Sequence, residues 1–173
     1  KSPPHIHSYK EIKKMYPAAK FIYLVRDPRD VTSSLKTCPW STSNVYINAL
    51  NWKKGIQSIN SQQGLLLFYE DFVKNPNKNL QNTFKYLGLS NSKLKKNNQE
   101  NTSDANNWWY NLHLTKANSK VTEEYINTWN YKLSNVDWEQ EIVEHICKNE
   151  MDQFKHVPKR RKKLQSSWIN YFY

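Results

Sequence analysis

The 173 residues carry 26 Lys and Arg against 15 Asp and Glu, a net charge of +11 at pH 7, with 38% hydrophobic residues and 14% aromatics that include seven Trp. A chain of this length can bury roughly 70% of its unfolded surface, which suits one domain with a sizeable core and argues against two. The charge points to a partner bearing phosphate, sulfate or carboxylate, and no apolar run approaches the roughly 20 residues that span a bilayer.

Taken in chain order, Ser8 and Glu11 form a capping-box pattern ahead of Ile12, Met15 and Tyr16, and Pro17 stops the helix. FIYLV (21–25) is continuous, apolar and rich in β-branched and aromatic residues, and reads as a fully buried strand. It ends abruptly in Arg26-Asp27-Pro28-Arg29-Asp30, where Asp27 can cap, and Pro28 can open, a helix running through Val31 and Leu35. After a Pro/Ser/Thr/Asn loop (39–44), Trp52, Ile56 and Ile59 recur at helical spacing, and Gly64 precedes a second buried strand, LLLFY (65–69). Glu70-Asp71 follow; Asn75-Pro76 then opens a helix with Leu80, Phe84 and Leu87 on one face and Gly88 placed to end it. Two buried strands separated by helices predict an α/β fold with a parallel sheet.

Residues 90–120 are polar and Asn-rich and read as a variable loop or insertion carrying Trp108, Trp109 and Tyr110, aromatics suited to packing or to stacking on sugars or bases. A helix around Tyr125, Trp129 and Leu133 is expected next. Another follows, capped at Asp137 with Gln140 three residues on, burying Ile142, Ile146, Cys147 and Phe154. Residues 159–173 form a basic and aromatic tail that opens with the tract Lys159 to Lys163. Cys38 and Cys147 are too few for a disulfide framework and too distant for metal-ligand spacing, so buried free thiols are expected. His5 and His7 have no Cys or carboxylate spacing to support a metal site, and none is expected.

Chemistry concentrates in VRDPRDVTSS (25–34). The three glycines, 55, 64 and 88, do not cluster, so neither a Walker loop nor a dinucleotide fingerprint is present. A strand instead delivers Arg26 to its C-terminal edge, where ligands sit in open α/β sheets, and the next helix offers unpaired N–H groups and the positive end of its dipole. Ser33 or Ser34 can add a hydroxyl donor, and the planar fork of Arg26 suits a bidentate phosphate. Equally, Arg26 can pair with Asp27 or Asp30 and only finish the helix cap.

YLVRDPRDVTSSL (23–35) resembles the 3′-phosphate-binding segment of sulfotransferases that use 3′-phosphoadenosine 5′-phosphosulfate (PAPS), where an Arg at a strand end and a Ser eight residues later hold the 3′-phosphate. Here those positions are Arg26 and Ser34. LLLFYEDFVKNPNKNLQNTFKYLGL (65–89) is similar to a second stretch of that family, and its adenine-contacting Tyr corresponds to Tyr69. KSPPH followed by YPAAKFIYLVRDP looks like the family's run from the catalytic lysine to the phosphate strand, with Lys1 as that lysine. Many members carry a His two residues after it. Pro3 stands there instead, and His5 is taken as the general base.

The resemblance runs closely over 1–89, loosely over 116–156 and not over 90–115. It implies a P-loop NTPase-like sulfotransferase fold lacking its N-terminal strand and phosphate loop, with 1–158 the C-terminal part of the domain. It also implies transfer of a sulfuryl group from PAPS, as co-substrate and without a metal, to an acceptor hydroxyl or amine. The acceptor stays open between carbohydrate, protein tyrosine and small alcohol, and nucleic acid is not an expected partner. The compartment, cytoplasm or Golgi lumen, depends on sequence upstream of Lys1. Two other readings remain at this point: a non-catalytic module binding nucleic acid or acidic polysaccharide, and a nucleotide kinase relative requiring ATP and magnesium.

Overall fold

The computed structural model describes residues 3–59, 64–89, 121–133 and 137–154. Lys1, the 90–120 stretch with its aromatic triplet, and the 159–173 tail lie outside the described residues. A 3₁₀ turn, Pro3–Ser8, leads into α1 (Tyr9–Met15), followed by β1 (Phe21–Val25), α2 (Pro28–Leu35), α3 (Val45–Gln57), β2 (Gly64–Phe68), α4 (Tyr69–Lys74) and α5 (Pro76–Leu87). A second 3₁₀ turn (Glu123–Tyr125) precedes α6 (Trp129–Lys132), α7 (Asp137–Ile146) and α8 (Lys148–Gln153).

The strands pair in parallel, with Phe21 opposite Gly64 and Val25 opposite Phe68, and the intervening helices form the crossover that parallel pairing requires. The result is the mixed α/β architecture expected. Gly64 belongs to β2 for a steric reason: a Cβ there would run into the Tyr23 ring and meet the Phe21 carbonyl oxygen at 3.0 Å. Gly88 closes α5 in the left-handed conformation, φ 75°, as the cap position favours.

Neither strand is fully buried, contrary to the sequence reading. In β1, Tyr23 and Val25 are buried while Ile22 and Leu24, on the opposite face, stay 41% and 60% exposed; every residue of β2 is half-buried. A continuous apolar run carries no period-2 signal, so it cannot say that only one face is covered. Ser8 likewise makes no capping hydrogen bond. The chain reaches it from a 3₁₀ turn, already coiled, and Ser8 lacks the extended dihedrals an N-cap requires.

The apolar core lies where α3 meets α7 and α8. Val45 and Ala49 pack with Val143, Cys147 and Met151, and Trp52, Ile146 and Phe154 surround them. Val143 rather than Ile142 sits at the centre, one turn before Cys147 and two before Met151. Burial pushes the Cys147 thiol up to about 12, so it stays protonated and acts as a small apolar side chain. Cys38 is only half-buried.

Candidate functional site

Because β1 and β2 run parallel and in register, both leave the sheet at the same edge, Arg26 after Val25 and Tyr69 after Phe68. Their side chains meet there, with the Arg26 guanidinium 4.6 Å from the centre of the Tyr69 ring. Burial raises the Tyr69 phenol above its ordinary pKa, outweighing the opposing charge of Arg26, so the hydroxyl remains neutral.

The turn that carries Arg26 is tied on each side. Trp52 Nε1–H donates to the Arg26 carbonyl at 3.0 Å, and the Asp27 N–H donates to Glu70 Oε1 at 2.9 Å. Asp27 caps α2 by accepting the Arg29 N–H at 2.8 Å, as its place before Pro28 predicts. Glu70 is buried, its Oε2 has no partner, and burial raises its pKa against the lowering effect of the Asp27 N–H.

The two arginines of the motif have different surroundings. Arg29 is fully buried: its Nε and Nη2 donate to Asp27 at 3.0 and 2.7 Å, its Nη1 donates to Glu144 on α7 at 2.9 Å, and its guanidinium lies 4.2 Å from the Trp129 ring centre. Burial alone would lower its pKa, but the hydrogen bonds and charges of Asp27 and Glu144 together leave it raised. Arg26 keeps 23% of its side chain exposed. Its Nη2 donates to the Tyr125 carbonyl at 2.6 Å and lies 3.7 Å from Asp30 Oδ2, an ion pair too long to be a hydrogen bond. Its Nε is buried without a partner. The pairing left open by the sequence is therefore with Asp30, and weak; the main partner is a backbone oxygen 99 residues away.

Asp30, also fully buried, accepts three hydrogen bonds: from the Asn127 N–H at 2.9 Å, from Thr128 Oγ1–H at 2.9 Å and from the Trp129 N–H at 3.0 Å. It thereby fastens the segment before α6 to α2. Ser34 follows Asp30 by one helical turn on the same side of α2, half-buried, and its carbonyl accepts from Thr37 and Cys38.

His5 is exposed in the first 3₁₀ turn, which rests on α1 and α3, and no hydrogen bond or ion pair joins it to Arg26, Ser34 or Tyr69 among the described residues. Its neighbour His7 does have a partner, Ser58 Oγ at 3.2 Å. An open basic recess lined by His7, Lys10, Lys13, Lys14 and Ser58 shares no residue with the Arg26 cluster. Among the described residues there is no group of three or more His, Cys, Asp or Glu that could hold a metal, and no helix long and apolar enough to cross a membrane.

Sequence reasoning singled out Arg26 and Tyr69, which meet at the sheet edge, but not Glu70 and Tyr125 beside them, nor Glu144 as the partner of Arg29. Glu70 could have been found, since it directly follows Tyr69 at the end of β2. Tyr125 could not, because a backbone carbonyl has no signature in the side-chain pattern.

Residues 1–93, just over half of the chain, match the sequence profile of the Sulfotransferase family. The chain belongs to the sulfotransferase family. Comparison with curated proteins and with solved structures returned no match. Within this sulfotransferase, Arg26, Asp30, Ser34, Tyr69 and Glu70 fall inside the matched region, whereas Tyr125, Thr128, Trp129 and Glu144, which close around them, fall outside it.

Proposed function

We propose that this sulfotransferase transfers a sulfuryl group from PAPS to an acceptor hydroxyl or amine, with Arg26 and Ser34 holding the donor's 3′-phosphate and Tyr69 lying near its adenine. The observation that carries the reading is the state of Arg26: a partly exposed guanidinium at the C-terminal edge of the sheet, beside an aromatic ring. The other arginine of the motif is buried and fully engaged in ion pairs. The one hydrogen bond that Arg26 makes among the described residues runs from Nη2 to the Tyr125 carbonyl, which supports Nη1 as a donor to a phosphate, with the Ser34 hydroxyl as its second donor. The parallel pairing of β1 and β2 supports a P-loop NTPase-like sheet, with 1–158 as one part of a sulfotransferase domain.

In the reaction the acceptor oxygen or nitrogen attacks sulfur in line with the bond to the 5′-phosphate. The new bond to sulfur forms as the sulfur–oxygen bond of the donor breaks. Adenosine 3′,5′-bisphosphate leaves, and the acceptor's proton passes to a base. Lys1 is assigned to the charge on the transferring group and His5 to the proton, both by resemblance.

Titration calorimetry with adenosine 3′,5′-bisphosphate tests the donor assignment. Arg26→Ala should weaken binding by more than about tenfold, because removing a charged hydrogen bond at a partly buried site costs about 1.5–3 kcal/mol. Unchanged affinity would sink the assignment, and if binding then fell steeply with salt, a general polyanion-binding module would be the better reading.

A further inference from the structure

Between Arg26 and the segment before α6 runs a chain of contacts that phosphate binding alone does not require. Asp30 is a charged group with no exposure, and burial of a carboxylate is costly unless donors surround it. Its three donors all come from consecutive residues, Asn127, Thr128 and Trp129. Asn127 adopts a left-handed backbone, φ 58°, at the point where the chain turns into this grip. Two residues earlier, the Tyr125 carbonyl receives Arg26 Nη2 at 2.6 Å. The guanidinium is planar, so fixing one nitrogen against this carbonyl, with the Tyr69 ring alongside, sets the direction in which Nη1 points.

We propose that Asp30 is a positioning residue for the donor site: by docking Asn127–Trp129 it holds the Tyr125 carbonyl where it orients Arg26 toward the 3′-phosphate. This rests on the donor reading above. It adds that the phosphate site is completed by a segment outside the family-matched region, and that the segment acts through its backbone.

The test uses the full-length protein and two ligands, adenosine 3′,5′-bisphosphate and adenosine 5′-monophosphate, which lacks the 3′-phosphate. Asp30→Asn replaces one acceptor oxygen with a donor that faces the N–H groups of the segment. It should weaken the bisphosphate about tenfold or more and leave the monophosphate unchanged, and in an Arg26→Ala background it should add no further loss. Hydrogen exchange at the Asn127 and Trp129 amides should quicken in the same variant. Should Asp30→Asn fail to fold, Thr128→Val, which removes one donor only, should show a smaller loss with the same ligand selectivity.

Equal weakening of both ligands would mean a general structural role and overturn the proposal, as would a loss that persists without Arg26. So would faster amide exchange with unchanged bisphosphate affinity, an outcome that leaves the donor reading intact. If Arg26→Ala itself has no effect on the bisphosphate, the donor reading fails and this inference falls with it.

Discussion

Arg29→Ala should destabilise the protein by about 3–5 kcal/mol, since removing one partner of a buried ion pair leaves the other charge uncompensated. Asp27 and Glu144 would both lose their cation, and the Trp129 ring would lose the group beside it. Urea denaturation measures this; a midpoint close to wild type would show that the cluster relaxes by admitting water. Glu70 gives a pH-dependent counterpart. Burial raises its pKa above the ordinary value of 4.5, so folding favours its protonated form. Its contribution to stability is full below about pH 4.5 and is lost as the pH climbs through the raised value. Glu70→Gln keeps an acceptor for the Asp27 N–H and cannot ionise, so its stability should vary less as the pH rises above 4.5. Equal slopes in urea titrations of the two proteins would refute this. At this scale the sequence was legible where a residue type has one use: Asp27 before Pro28 is a cap, and an Arg at a strand end is a ligand candidate. It was not legible for Asp30, because an acidic residue one turn after Arg26 suggests a local pair, whereas its hydrogen bonds run to residues 97 to 99 positions away.

Between elements, α3 packs against α7 and α8 at Ala49, which is fully buried against Val143 and Cys147, with Cys147 Sγ 3.6 Å from the Ala49 carbonyl oxygen. Ala49→Leu should therefore overpack the crossing and cost about 1–3 kcal/mol, read as a fall in Tm; a neutral effect would reveal unfilled space there. Most helices were marked in the sequence, although α4 was not, since Tyr69 read as the last residue of the second strand. Asn75-Pro76 and Gly88 bracket α5 as expected, and Asn44 caps α3 by accepting the Ile47 N–H at 3.2 Å. Burial was less well marked. The apolar runs of β1 and β2 suggest two covered faces, yet Ile22 and Leu24 remain exposed. The helix expected around Tyr125 to Leu133 is instead a 3₁₀ turn and the single-turn α6, with the N–H groups of Asn127 and Trp129 bonded to Asp30 rather than within one continuous helix.

On the scale of the whole molecule, α2 and the residues that flank it are the hub through which the family-matched region grips the rest. Arg26 reaches Tyr125, Arg29 reaches Glu144, Asp30 reaches Asn127 to Trp129, and Lys36 Nζ donates to Glu139 Oε1 at 2.7 Å. Val45 and Ala49 on α3 lean on α7 and α8 in the same way. A chain ending at residue 93 would expose this core face and leave buried charges unpaired, so it should show no cooperative thermal transition. A sharp melt from that piece would mean that the matched region folds on its own. The same hub sets a timetable for synthesis. Arg29 and Glu144 are 115 residues apart, and at about 5–20 residues per second a ribosome needs roughly 6 to 23 s to make the second after the first. Throughout that interval Arg26, Asp27, Arg29 and Asp30 are in place without the residues from 125 to 144 that complete their pairing and cover them.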